Sequence, residues 1–137
     1  MKVLCVGMLC CDISISPVPP DILSRDSAPI CRPVMSCGGD ALNVAMGLAK
    51  LGVAVDVAGR VAADANGSFI RAECEKAGIG GKNIVNDNFC ATATSFALID
   101  TSGERHFLTD KAIFEKLTAA DIPDTALPKA GIVYFGS

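Results

Sequence analysis

Tryptophan is absent from this 137-residue chain, tyrosine and histidine occur once each, and charged residues make up only 20% of it. One histidine, His106, and no Cys-x-x-Cys leave no zinc-site spacing, so no metal site is expected. The formal net charge is −3 and no segment clusters lysine or arginine, so the footprint of a nucleic-acid binder is missing. No apolar run approaches the length of a membrane span. Val3 to Cys11 imitates a secretory core, but its basic region is the single Lys2, no small-x-small cleavage site follows, and Asp12 ends it. Neither nucleic acid nor membrane is therefore an expected partner.

Phosphate loops are missing too. Gly78-Ile-Gly-Gly-Lys82 lacks the Walker A spacing and follows a helical pattern instead of preceding one. It reads as a helix cap and turn. Gly7-Met8-Leu9 lacks the second and third glycines of a dinucleotide fingerprint, so no NAD site is supported.

What is present is apolar and small. Half the residues are hydrophobic, a globular profile, and the length suits one domain with a real core. Seven cysteines, an odd count with several on strand-like patterns, read as small buried hydrophobes in a reducing cytosol. A cytoplasmic location follows as an expectation. The vicinal pair Cys10-Cys11 is a candidate redox couple beside that plainer reading.

Periodicity orders the chain. Lys2 to Gly7 is a continuous apolar strand of the kind a parallel sheet buries on both faces. Asp12 to Ser16 alternates until Pro17, Pro19 and Pro20 stop it, and Ile30 to Met35 is a short edge candidate broken by Pro33. A helix opens at Gly39, runs to Leu51 and is capped by Gly52; its apolar circumference predicts burial between two layers. Val53 to Ala58 is a second buried strand, followed by a helix over about 67–77 with Asn66 as cap. Thr94 to Asp100 and Glu104 to Leu108 flank Thr101-Ser102-Gly103 as a hairpin. Thr118 and Asp121 frame a capping box, and Ile132 to Phe135 is a last buried strand. Such alternation predicts an α/β sheet, with the extended excursions forming a flap to one side.

The run from Ser36 to Gly52 carries the strongest functional signal. Gly38 and Gly39 open a helix of small residues, leaving N–H groups unpaired and letting a ligand approach the main chain. Asn43 lies one turn later and is the one polar side chain between Ala41 and Ala49. Its amide suits either a neighbouring loop at a tight junction or a hydroxyl-rich ligand. Asp12 stands just past a strand's carboxyl end, where open α/β sheets place ligands. It is either a turn-forming aspartate or a charged acceptor for two hydroxyls.

Taken in order, the Gly-x-x-x-x-Asp12 turn, the Gly-Gly-x-x-x-Asn43 opening, Gly59-Arg60-Val61, Asp64-x-x-Gly67 and the Thr94 to Arg105 hairpin pattern resemble the PfkB carbohydrate kinases, the ribokinase-like family. The likeness covers essentially the whole chain, residues 1–137. It implies the amino-terminal part of a ribokinase-like parallel-sheet core with a small β-sheet lid formed by about 13–35 and 88–110. It also implies that Asp12, Gly38, Gly39 and Asn43 hold sugar hydroxyls. ATP and Mg²⁺ are implied for a complete member, which transfers the γ-phosphoryl to a sugar hydroxyl in the manner of fructokinase or ribokinase.

Several positions depart from that pattern. Cys10 replaces an asparagine, Asp40 stands where ribokinases have lysine, Ala62 replaces a glycine, and Lys111-Ala-Ile stands where Gly-Ala-Asn often follows the hairpin. The family's second signature, Asp-x-x-Gly-Ala-Gly-Asp, with its anion hole and general base, does not occur in this chain. No catalytic residue is therefore assigned here, no ATP binding is expected of the chain alone, and it is expected to be inactive by itself. A non-catalytic sugar-binding or lid-dimerising module is the alternative. The unpaired edge at Ile132 to Phe135 further predicts association, with a second copy through the lid or with the missing half.

Overall fold

The computed structural model describes residues 1–137. In chain order its elements are β1 (Val3–Gly7), β2 (Cys10–Ile15), β3 (Val34–Gly38), α1 (Asp40–Lys50), β4 (Val55–Ala62), α2 (Ala65–Lys76), β5 (Gly80–Asp87), β6 (Thr94–Ile99), β7 (Arg105–Asp110) and β8 (Ile132–Gly136). Four short 3₁₀ turns punctuate the connections.

Two four-stranded sheets result. The first, in order β5-β4-β1-β8, is wholly parallel. The continuous apolar run Val-Leu-Cys-Val-Gly forms its central strand β1, buried on both faces. One face meets α1 and α2 over Cys5, Val57, Leu42 and Ile70; the other packs Leu4, Val6 and Ala58 against Ala126. The second sheet is mixed, in order β3-β2-β6-β7, with β2 parallel to β6 and both outer pairs antiparallel. It is built from the two excursions and the hairpin, so the parallel core and its flap stand as expected.

Four expectations are corrected. The edge strand is Val34–Gly38 and starts after Pro33, because proline has no N–H for the ladder and its ring restricts the residue before it. Helix α1 buries only Ala41, Leu42 and Ala45; Asp40, Asn43, Gly47 and Lys50 are exposed, so it lies on the sheet instead of between layers. Asp64, not Asn66, caps α2, its carboxylate accepting the Gly67 N–H at 2.8 Å. Finally, Gly80–Asp87 is a full strand, β5, where a turn alone was expected. Pairing with β4 imposes it, since two glycines, a lysine and two asparagines give little strand propensity.

The vicinal cysteines also part company. Alternation along β2 sends Cys10 into a cluster with Ala62, Ala93 and Ile113, and Cys11 into the core beneath α1 and α2. They cannot act as one redox pair. Four of the seven cysteines are buried.

Candidate functional site

The local geometry of the site follows from close approaches. Asp12 sits mid-strand in β2, and its carboxylate occupies the space that a Cβ on Gly38 would fill. Only glycine allows that contact. Gly39 caps α1 at φ +87°, a left-handed conformation that side chains rarely adopt, and a Cβ there would strike the Met8 carbonyl oxygen. The diglycine thus brings the start of α1 hard against the β1–β2 connection. It also lays the end of β3 against Asp12.

Strand register builds a polar row around that carboxylate. Ser36, Asp12, Ser95 and Thr109 are aligned neighbours across β3, β2, β6 and β7, on one face of the mixed sheet. The Ser95 and Thr109 hydroxyls are 2.9 Å apart. Burial raises the Asp12 carboxyl above its ordinary pKa, offset in part by the Cys10 thiol. A half-buried carboxylate lacking a cationic partner, flanked by hydroxyls, is suited to accept hydrogen bonds from a polyol.

Asn43 is placed one turn into α1, where its N–H donates to the Gly39 carbonyl at 2.9 Å. Its side chain is exposed and lines a hollow of about 520 Å³ with Met35, Ser36, Cys37, Met46 and Phe69 among others. Asp12 does not line that hollow. Ser36 links the two, being both the register partner of Asp12 and part of the lining. The structure therefore brings Asp12 onto Gly38, with Gly39 next in the chain against Met8, and leaves Asn43 in a separate hollow that Asp12 does not line.

A second arrangement holds this region in place. The Asp64 carboxylate accepts from Gly67 N–H at 2.8 Å, Thr92 N–H at 2.9 Å and Thr92 Oγ1 at 2.6 Å. Burial pushes its pKa up, but these donors outweigh it and hold the carboxyl below its ordinary value. A Cβ on Gly67 would collide with the Ala62 carbonyl oxygen, so the helix start is seated directly on the end of β4. Thr92 also accepts from the Ala62 N–H at 2.8 Å, and Asn66 donates to Thr94 Oγ1 at 2.8 Å. This knot anchors the start of β6, the strand that carries Ser95 alongside Asp12.

A further hollow of about 410 Å³ opens at the carboxyl ends of β1 and β8, lined by Gly7, Phe135, Gly136 and Ser137 with Phe114 and Leu117 above. At the adjoining start of α1, Asp40 N–H donates to the Ser137 carbonyl at 2.9 Å, and Ser137 Oγ donates to the Asp40 carboxylate at 3.0 Å. Asp100, Glu104 and His106 bring ligand atoms together on the hairpin, but Asp100 is already accepting from Ser102 and Glu104 to form the turn.

The serine–threonine row was not anticipated from the sequence. Its signal was present: a hairpin centred on Ser102 pairs Ser95 with Thr109 by counting outward. The Thr92 anchor had no comparable signal, because it depends on a contact 28 residues away in sequence.

A profile of the family described as pfkB family carbohydrate kinase matches residues 1–137. An uncharacterized sugar kinase of Pyrococcus horikoshii, PH1459, is 30% identical over 100 residues, which is 73% of this chain and 32% of that protein. An ATP-dependent ribose-1-phosphate kinase of Halopiger xanaduensis is 31% identical over 102 residues, 74% of this chain and 34% of that protein. The crystal structure of a fructokinase from Xylella fastidiosa superposes with a TM-score of 0.82 at 26% identity, covering 98% of this chain and 40% of that one. The chain thus spans about a third of the length of the two curated relatives.

Proposed function

The chain belongs to the PfkB family of carbohydrate kinases, and from that premise we propose that it supplies the sugar-holding part of an ATP-dependent sugar kinase. The supporting observation is the seating of the Asp12 carboxylate on Gly38, within a row of hydroxyl side chains. In this reading Asp12 accepts from two sugar hydroxyls, the Gly38–Gly39 backbone approaches the ring, and Asn43 donates and accepts at its rim. The mixed sheet acts as a lid whose polar face, carrying Ser36, Ser95 and Thr109, closes over the sugar.

The substrate is a neutral sugar, such as fructose or ribose. Asp40 and Asp12 place two carboxylates near the diglycine turn, and like charge disfavours a phosphorylated sugar there. ATP phosphates meet the same two carboxylates. The start of α1 would have to receive phosphates, yet its first N–H is bonded to Ser137 and its first side chain is a carboxylate. These residues do not suit a triphosphate at the start of α1, and in this reading the chain holds the sugar alone. By itself the chain binds sugar and transfers nothing.

Association is proposed through the lid. On its other face Met35, Ile13, Phe96 and Leu108 form an aligned apolar row, and Met35, Phe96 and Leu108 are exposed. A second copy pairing there would cover it. No helix of the chain is long and apolar enough to cross a membrane, and a cytoplasmic site suits its free thiols.

Calorimetric titration with D-fructose, D-ribose and ribose 1-phosphate tests the reading, together with a coupled assay for ADP release. Saturable binding of a neutral sugar with no turnover is expected. Failure to bind any sugar, or turnover by the chain alone, would overturn it.

A further inference from the structure

Seven thiols are free in this fold, and two of them face each other across an antiparallel ladder. Cys11 in β2 and Cys37 in β3 are register partners, so their side chains emerge on the same face. The Cys11 N–H donates to Ala93 on the β6 side at 2.9 Å. In an extended strand the N–H and C=O of one residue point the same way, so neither polar group of Cys11 faces β3. Cys11 and Cys37 therefore form a non-hydrogen-bonded pair, the closer of the two antiparallel pairings, with Cα atoms roughly 4.5 Å apart. A disulfide spans Cα separations of about 4.4–6.8 Å. The backbone register thus places the pair within the Cα range that a disulfide spans.

Access is one-sided. Cys11 is fully buried in the core, whereas Cys37 is half-buried and lines the hollow of about 520 Å³ at the edge of β3. On this strand pair Cys10 lies on the opposite face of β2, with Gly38 as its register partner; Cys74 of α2 packs in the same core as both thiols and is the neighbour to be tested against Cys11.

We propose that Cys11 and Cys37 form a reversible disulfide, with Cys37 as the attacking thiol and Cys11 as the resolving one. A small disulfide oxidant such as oxidised glutathione enters by the hollow. Cys37 gives up its proton and attacks one glutathione sulfur, the glutathione S–S bond breaks, and the first glutathione leaves as a thiol carrying that proton. Cys11 then gives up its proton and attacks the Cys37 sulfur, expelling the second glutathione as a thiol. Two protein thiols have lost two electrons and two protons, and one oxidised glutathione has become two reduced ones. Burial pushes the Cys37 thiol up to about 12, which slows the first step at neutral pH and favours it in alkali.

The bond would clamp β2 to β3 one residue from both Asp12 and Gly38. Its effect on substrate rests on the sugar-kinase reading of those two residues. Its formation does not.

Non-reducing tryptic mapping after treatment with oxidised glutathione at mildly alkaline pH tests it. The expected product is a cross-link between the peptide over 3–25 and the peptide over 26–50, reversed by a thiol reductant. It should persist in Cys5→Ala, Cys10→Ala, Cys31→Ala and Cys74→Ala and vanish in Cys37→Ala, a half-buried position. In the cross-linked chain, amide exchange over Val34–Gly38 should slow. Absence of the link in the unmodified chain, or its survival in Cys37→Ala, would overturn the assignment whatever the sugar titrations return.

Discussion

The Asp12 carboxylate rests in the space above Gly38 that any larger residue would claim. Two residues from different strands are thereby made interdependent: the glycine exists for the carboxylate's position, and the carboxylate is half-buried because the glycine admits it. Consequences for stability and binding separate along that line.

Asp12→Asn should weaken sugar binding and strengthen the fold. Hydrogen bonds to a charged group contribute about 1.5–3 kcal/mol, so affinity should fall on the order of tenfold to a hundredfold by calorimetry. The stability effect has the opposite sign. Burial raises the Asp12 carboxyl above its unfolded value. Ionisation therefore costs stability at every pH above the unfolded carboxylate range, and that cost disappears below it. The melting temperature of Asp12→Asn should exceed that of the unaltered chain at pH 7 and match it near pH 3.

The two glycines should fail differently. In Gly38→Ala the obstructing atoms belong to the Asp12 side chain, which can swing away, so affinity should drop with little loss of stability. In Gly39→Ala the obstruction is the Met8 backbone, and φ is +87°. A strained residue of this kind costs about 1–3 kcal/mol, a fall in melting temperature readable by calorimetry alongside the loss of binding.

Asp64→Ala should loosen the brace behind the site. Loss of a cap costs about 0.5–2 kcal/mol, and the stranded Thr92 donors add to it. Stability should fall by roughly 2–3 kcal/mol. Amide exchange at the start of β6 should accelerate more than at β1.

Arg60 joins β4 to the connection before β8. It donates to Asp87 at 2.7 Å and to Asp121 at 2.8 and 3.0 Å. Arg60 holds the Asp121 carboxyl below its ordinary pKa. The resulting stability is complete above the unfolded carboxylate range and is lost as pH falls through the lowered folded value. Arg60→Ala should lower the melting temperature at pH 7, and the gap should narrow steadily in acid. An unchanged gap from pH 7 down to pH 3 would contradict the assignment.

Asp40→Asn tests charge selectivity. Removing the carboxylate that follows the diglycine in the chain should narrow the preference for fructose or ribose over ribose 1-phosphate. A preference that does not move would show that Asp40 takes no part in it.

Much of this was legible because local signals agreed with the tertiary outcome. Val3–Gly7 is apolar throughout and becomes the central strand; Gly52 and Gly78, both at positive φ, close their helices where expected. The hairpin around Gly103 was readable from its turn residues. The failures occurred where tertiary contacts overrode composition. Strand β5 is dictated by its neighbour, and α1 is exposed along the side that carries Asp40, Asn43, Gly47 and Lys50, a polar stripe that its many small apolar residues mask in the sequence. Asp64 and Asn66 are both good caps by type, and only the approach of Thr92 selects the first. At the site, the diglycine and Asp12 were visible as separate features, but their contact depends on β2–β3 register across a long excursion.

Amide chemical-shift mapping of the chain during titration with D-fructose and D-ribose addresses the central claim most directly. Saturable shifts should centre on Asp12, Gly38, Gly39, Asn43 and Ser95, and should vanish in Asp12→Ala while the remaining spectrum stays folded. Shifts confined to other surfaces, or none at saturating sugar, would contradict it.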